Sequence, residues 1–123
     1  MNLKLQILNV NYSVCQLEPD ALIPEWAIRA MAVIRTDDEL TIVVESEQVH
    51  LEVKAQRDFA CFRVIGELAF DVIGVIAAIS GKLAESKIPI LSISTYNTDY
   101  FLVSSSKMAL ARQSLEALGC TFE

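Results

Sequence analysis

Residues 70–103 constrain this chain most. Phe70-Asp71-Val72-Ile73-Gly74-Val75-Ile76-Ala77-Ala78-Ile79 sets an acid and a glycine around the start of an apolar run. Val72, Val75, Ile76, Ile79 and Leu83 recur at helical spacing, which predicts a helix over 72–86 with one apolar stripe. Asp71 suits its N-cap, Lys82 and Lys87 suit the C-terminal end of its dipole, and Pro89 prevents its continuation. Residues 90–96 then alternate, with Leu91 and Ile93 on one face and Ser92 and Ser94 on the other. Asn97-Thr98 makes a turn, and residues 99–104 return as the hairpin partner.

The flanks complete a unit. Residues 59–67 read as a strand closed by Gly66. Met108, Ala111, Leu115 and Leu118 define a second helix, capped by a serine in 104–106 and ended by Gly119. Residues 120–123 make a short last strand. The order is β-α-β-β-α-β, a ferredoxin-like α/β (α+β) unit of antiparallel sheet with helices on one face.

The first half reads as a reduced copy. Residues 13–17 form a strand, and Pro24-Glu25-Trp26-Ala27 replaces the first helix with about a turn. Residues 31–35 and 40–44 form a hairpin around Thr36-Asp37-Asp38, and 49–55 make a further strand. Both hairpins carry a Thr-Asp pair at the corner, which indicates an internal duplication; common turn chemistry is the alternative. The expected units are 1–57 and 58–123, with residues 1–11 as an extra strand or arm.

Composition narrows the function. The chain has 123 residues, 53% of them hydrophobic, with a mean hydropathy of +0.40. No uncharged run approaches the ~18–20 residues of a membrane span, and no signal-peptide pattern opens the sequence. The apolar surplus therefore predicts an interface, and a homo-oligomer is expected. The net charge of −6 and the scattered Lys and Arg argue against nucleic acid or anionic membrane partners. Cys15, Cys61 and Cys120 are odd in number and widely spaced, as in reduced thiols of a cytoplasmic protein.

No catalytic or metal motif competes. His50, the single histidine, falls in an alternating strand-like stretch as a surface residue. Gly74 through Gly81-Lys82-Leu83 fails as a phosphate loop: the glycines are too far apart and Leu stands where Ser or Thr is needed. No His/Cys cluster has metal-ligand spacing, and no cofactor motif is present. Asp37, Asp38 and Glu39 read as a solvated turn. Trp26 either plugs the core where the first helix shrank or stacks on a ligand.

Residues 12–123 resemble small bacterial tandem ACT-domain proteins, similar to the regulatory domains of aspartate kinases and to the cytosolic arginine sensors of animals. The most specific pieces are Asp71-Val72-Ile73-Gly74-Val75-Ile76 and the run from Ser92 to Tyr100. In such modules the effector amino acid lies between paired domains, held by the loop entering the first helix and by the second strand. The resemblance implies Asp71, Ile73, Gly74, Val75 and Ile76 on the helix side. On the strand side it implies Ser94, Thr95, Asn97 and Asp99. The first half has no Asp-x-x-Gly, so a second equivalent site is not expected. The implied function is non-catalytic amino-acid sensing, with a regulated enzyme or signalling protein as partner. The alternative is a structural interaction module with a vestigial pocket.

The residues suit a zwitterion on physical grounds as well. Amides at a helix N-terminus hold carboxylates, and a glycine permits close approach. Asp71 and Asp99 have the charge for an ammonium or guanidinium, favouring lysine or arginine. Equally, Asp71 and Asp99 fit as an N-cap and a turn residue, and Gly74, Ser92 and Ser94 as packing or surface positions.

Overall fold

The computed structural model describes residues 2–66 and 73–123. The chain divides into two units, Val10–Phe59 and Met1–Asn9 with Ala60–Glu123. Both are built on antiparallel hairpins, and both α-helices belong to the C-terminal unit.

In the C-terminal unit, β1 (Lys4–Ile7) lies between the second half of β5 (Ala55–Val64) and β8 (Thr121–Phe122). It runs antiparallel to β5 and parallel to β8. β7 (Asp99–Ser104) pairs with β5 on the other side, and β6 (Leu91–Ser94) pairs with β7 at the edge. Residues 1–9 are therefore not part of the first unit, as the 1–57 partition had them. Leu3, Leu5 and Ile7 alternate with polar residues, and Leu5 is wholly buried in the C-terminal core. That burial draws the strand into this sheet.

Strand alternation decides what faces the helices. Ala60, Phe62 and Val64 of β5 join Phe101 and Val103 of β7 in one core. The same core takes Val75, Ile79 and Leu83 of α1 (Val75–Glu85) and Met108, Ala111 and Leu115 of α2 (Met108–Ala117). Phe62 stacks on Phe101 with centroids 5.2 Å apart and meets Phe122 edge-on at 6.2 Å. Of the apolar stripe that the sequence predicts, Val75, Ile79 and Leu83 are buried, Ile76 is exposed, and Val72 lies outside the described residues.

The helix termini follow their chemistry. Both helices end in a left-handed residue that turns the chain back. After α1, Lys87 has φ 59°, its N–H reaches the Ala84 carbonyl at 2.9 Å, and the Ile88 N–H reaches Leu83 at 3.0 Å. After α2, Gly119 has φ 106°, with bonds from Gly119 to Glu116 and from Cys120 to Leu115, each 3.0 Å. The α2 start differs from expectation. A 3-10 turn at Ser105–Lys107 precedes it, and no serine side chain caps it.

In the N-terminal unit, β4 (Leu40–Glu45) pairs with β3 (Ala32–Arg35) and β2 (Tyr12–Leu17), and β2 pairs with the first half of β5. Its core is Cys15, Ala27, Leu40, Ile42, Val44 and Val49. Neither crossover is an α-helix here. The first is the 3-10 turn Glu25–Ala27, with Trp26 packed against the core. The second is the 3-10 turn Ser46–Gln48, followed by turns, so 49–55 is not a strand and His50 is an exposed turn residue. Two arginines tie these segments down. Arg35 donates to the carbonyls of Pro19 and Ala21, and Arg57 to those of His50 (2.9 Å) and Val53 (3.0 Å). Beside Arg57, Asp58 takes φ 62° where β2 and β5 slip register.

The duplication is visible in the hairpin corners, but in a different alignment from the Thr-Asp match. Thr36 N–H donates to the Glu39 carbonyl at 2.9 Å, and its Oγ1 accepts from the Asp38 and Glu39 amides. Thr95 N–H donates to the Thr98 carbonyl at 2.8 Å, and its Oγ1 accepts from the Thr98 amide. Thr36 therefore corresponds to Thr95, and Asp37-Asp38 to Tyr96-Asn97. The same spacing relates Ile42 to Phe101, Val44 to Val103, and the turn Ser46–Gln48 to Ser105–Lys107.

Stability outcomes follow for three residues. A lysine in the left-handed region costs about 1 kcal/mol, so Lys87→Gly should raise unfolding free energy by roughly 0.5–1 kcal/mol. Gly119→Ala should lower it by about 1 kcal/mol. Urea titration measures both. Arg57→Ala should cost about 0.5–1.5 kcal/mol, because water takes over carbonyls that are exposed or only partly buried. Arg57→Lys should restore only part of that in the same assay, because an ammonium lacks the planar fork.

Candidate functional site

The start of α1 lies later than the sequence suggests. Gly74 is its N-cap in the left-handed conformation, φ 93° and ψ 1°, and no side chain caps it. A residue at that φ cannot lie inside a right-handed helix, and glycine adopts it without a Cβ penalty. The first helical bond runs from the Ala78 N–H to the Gly74 carbonyl at 2.8 Å. The amides without an intrahelical partner are therefore those of Gly74, Val75, Ile76 and Ala77, and the Ile73 amide lies before the helix. Ile73 is 92% exposed, while the Val75 side chain is in the core, leaving only its backbone to a ligand. A Cβ built on Gly74 would meet nothing within 4 Å, so the space above it is open. Asp71 lies outside the described residues.

The hairpin residues separate by face. Ser94 pairs with Asp99, and the Ser94 hydroxyl donates to the Asp99 carboxylate at 2.7 Å. By alternation both share the face of Phe101, the one covered by the helices. Thr95 is spent on the turn: its hydroxyl donates to the Thr98 carbonyl at 3.0 Å. Thr98 is buried and donates to the Val64 carbonyl at 2.8 Å, anchoring the corner to β5. Asn97 sits in the exposed corner.

A second arrangement emerges that the sequence reading missed. An open hollow of about 430 Å³ is walled by Arg63, Gly66, the turn 95–98 and Tyr100. It takes in Thr95 and Asn97 but none of residues 73–76. Arg63 alternates with the buried Phe62 and Val64, so it projects from the helix-free face, where its Nε donates to Gln6 at 2.9 Å. The A-C-F-R-V alternation of 60–64 carried that signal.

No group of three or more His, Cys, Asp or Glu suited to a metal occurs among the described residues. None of the helices among them is long and apolar enough to cross a membrane. The three cysteines are buried. Burial pushes the Cys61 thiol up to about 12, and it also raises Cys15 and Cys120 above the ordinary 9.0. Such thiols are poor nucleophiles.

A family model described as ACT domain matches residues 54–117, more than half of the sequence. The chain belongs to the ACT-domain family. A second model, of an N-terminal domain, matches residues 10–51. Among solved structures, an Agobacterium tumefaciens protein is 30% identical, with TM-score 0.93 over 100% of this chain and 93% of that one. A Vibrio cholerae protein of unknown function is 24% identical, with TM-score 0.80 over 95% and 90%. The regulatory subunit of aspartate kinase from Thermus flavus shares the fold at 11% identity, with TM-score 0.64 over 92% and 95%. No protein of curated function matches by sequence. As an ACT domain, the chain is a regulatory, ligand-binding type of module, and such modules are typically non-catalytic.

The thiols set an alkaline limit. Between about pH 9 and 12 the unfolded chain ionises Cys61 while the folded chain keeps it protonated. The unfolded state then binds fewer protons, so stability falls as pH rises through that window. Urea midpoints from pH 8 to 11 should decline, and Cys61→Ala should flatten the decline.

Proposed function

We propose that this ACT domain senses a small amino acid and alters its association with a regulated enzyme or signalling protein. The carrying observation is the Ser94–Asp99 pair on the helix-side face of the edge hairpin, at the end of a strand that presents serines on that face. The amides of 75–77 at the start of α1 supply donors suited to an α-carboxylate, above an uncluttered glycine. Asp99 offers a charge for the far end of a long cationic side chain, which favours lysine or arginine. Ile73, Ile76 and Asn97 belong to the rim in this reading. We further propose a cytoplasmic homo-oligomer, in keeping with the apolar composition.

Thermal shift against the twenty amino acids tests the reading. A ligand at ~100 times its Kd adds about 2.7 kcal/mol to the folded state. Lysine or arginine should raise Tm, and Asp99→Asn should weaken that ligand roughly ten- to hundredfold by titration calorimetry. A Tm unmoved by every amino acid would leave the interaction-module reading. The exposed Leu22, Ile28 and Ile73 supply surface for that alternative.

A further inference from the structure

We propose that the hollow on the helix-free face is a separate binding site for a carboxylate attached to a planar ring. The walls supply two kinds of chemistry. Arg63 is half-buried, and its guanidinium is held at Nε by Gln6, whose backbone stands directly opposite in β1. That bond holds the Nε–H end of the fork, and among the described residues no acceptor engages its terminal nitrogens. A fork so held matches the two oxygens of a carboxylate. Tyr100 contributes a half-buried ring, and Tyr96, 98% exposed at the corner, contributes a second aromatic surface. An exposed ring beside a fixed cation suits a flat apolar body with an anionic end.

The internal repeat supplies a control. Around the corresponding turn, a hollow in the N-terminal unit is lined by Gln16, Glu18, Asp38 and Lys54 among others. Gln16 pairs with Thr41, the counterpart of Tyr100, and Asp38 is the counterpart of Asn97. The hairpin geometry thus makes a hollow in both units, whereas an arginine with two tyrosines occurs only in the C-terminal one. The site is independent of Asp99, which projects from the opposite face of its strand.

The probe is 3-phenylpropionate, with 3-phenylpropanamide as the uncharged control and lysine as the ligand of the helix-side reading. Amide NMR spectra of the full chain are recorded during each titration. Phenylpropionate should saturably shift the amides of Gly66 and residues 95–100, and the propanamide should shift them far less. Arg63→Gln should weaken phenylpropionate about ten- to hundredfold while leaving Tm and any lysine response unchanged. Arg63→Lys should fall between, and Asp99→Asn should have no effect on phenylpropionate. Equal binding of acid and amide, equal affinity in Arg63→Gln, or shifts confined to residues 73–78 and 94 would overturn the assignment. Failure of lysine with success of phenylpropionate sinks only the helix-side reading.

Discussion

Burial of Phe62 is the constraint on which the C-terminal unit depends. The ring is fully shielded between Phe101 and Phe122, and it stands on the strand that carries β1 on one side and β7 on the other. Truncating such a ring costs about 3–5 kcal/mol, a large share of the stability of a small domain. Because side chains alternate on a strand, committing Phe62 to the helix side commits Arg63 to the other. The functional surface of β5 is in that sense a by-product of its core.

The hairpin corners show the same economy. Thr36 and Thr95 spend their hydroxyls on local backbone amides, so both turns close without help from their central residues. Asp37-Asp38 and Tyr96-Asn97 are thereby released from structural duty. A turn held by its first residue leaves its next two free to diverge, and there the copies carry two acids in one case and Tyr-Asn in the other.

Much of this was legible in the sequence. The stripe Val75, Ile79, Leu83 reports its environment directly, because a helix writes burial at its own period; the alternation of 91–94 does not, since Ser92 and Ser94 take the face of Phe101 while Leu91 is exposed. Gly119 was legible for the same local reason. The misreadings share a different cause. Asp71 followed by apolar residues looks like a helix start, yet Gly74 with its positive φ fixes the boundary later. The Thr-Asp match aligned Thr36 with Thr98 instead of Thr95, since only the hydrogen bonds reveal which threonine closes the turn. The insertion of β1 between β5 and β8 is a long-range pairing that no local pattern encodes.

Arg63 was overlooked because a lone arginine in an apolar strand reads as a solvated edge residue. Its meaning depends on two partners distant in sequence: Gln6, which holds the Nε–H end of the fork, and Tyr100, which walls the hollow. Neither can be inferred before the strand order is known. By contrast, Arg35 and Arg57 in the N-terminal unit bind backbone carbonyls of the segments that stand where helices would be. Their guanidinium groups are consumed in replacing helical structure. In the unit with short crossovers Arg35 and Arg57 act as staples, while the unit with two α-helices holds an arginine whose terminal nitrogens have no acceptor among the described residues. The division of labour between the two copies follows from where each obtains its backbone hydrogen bonds.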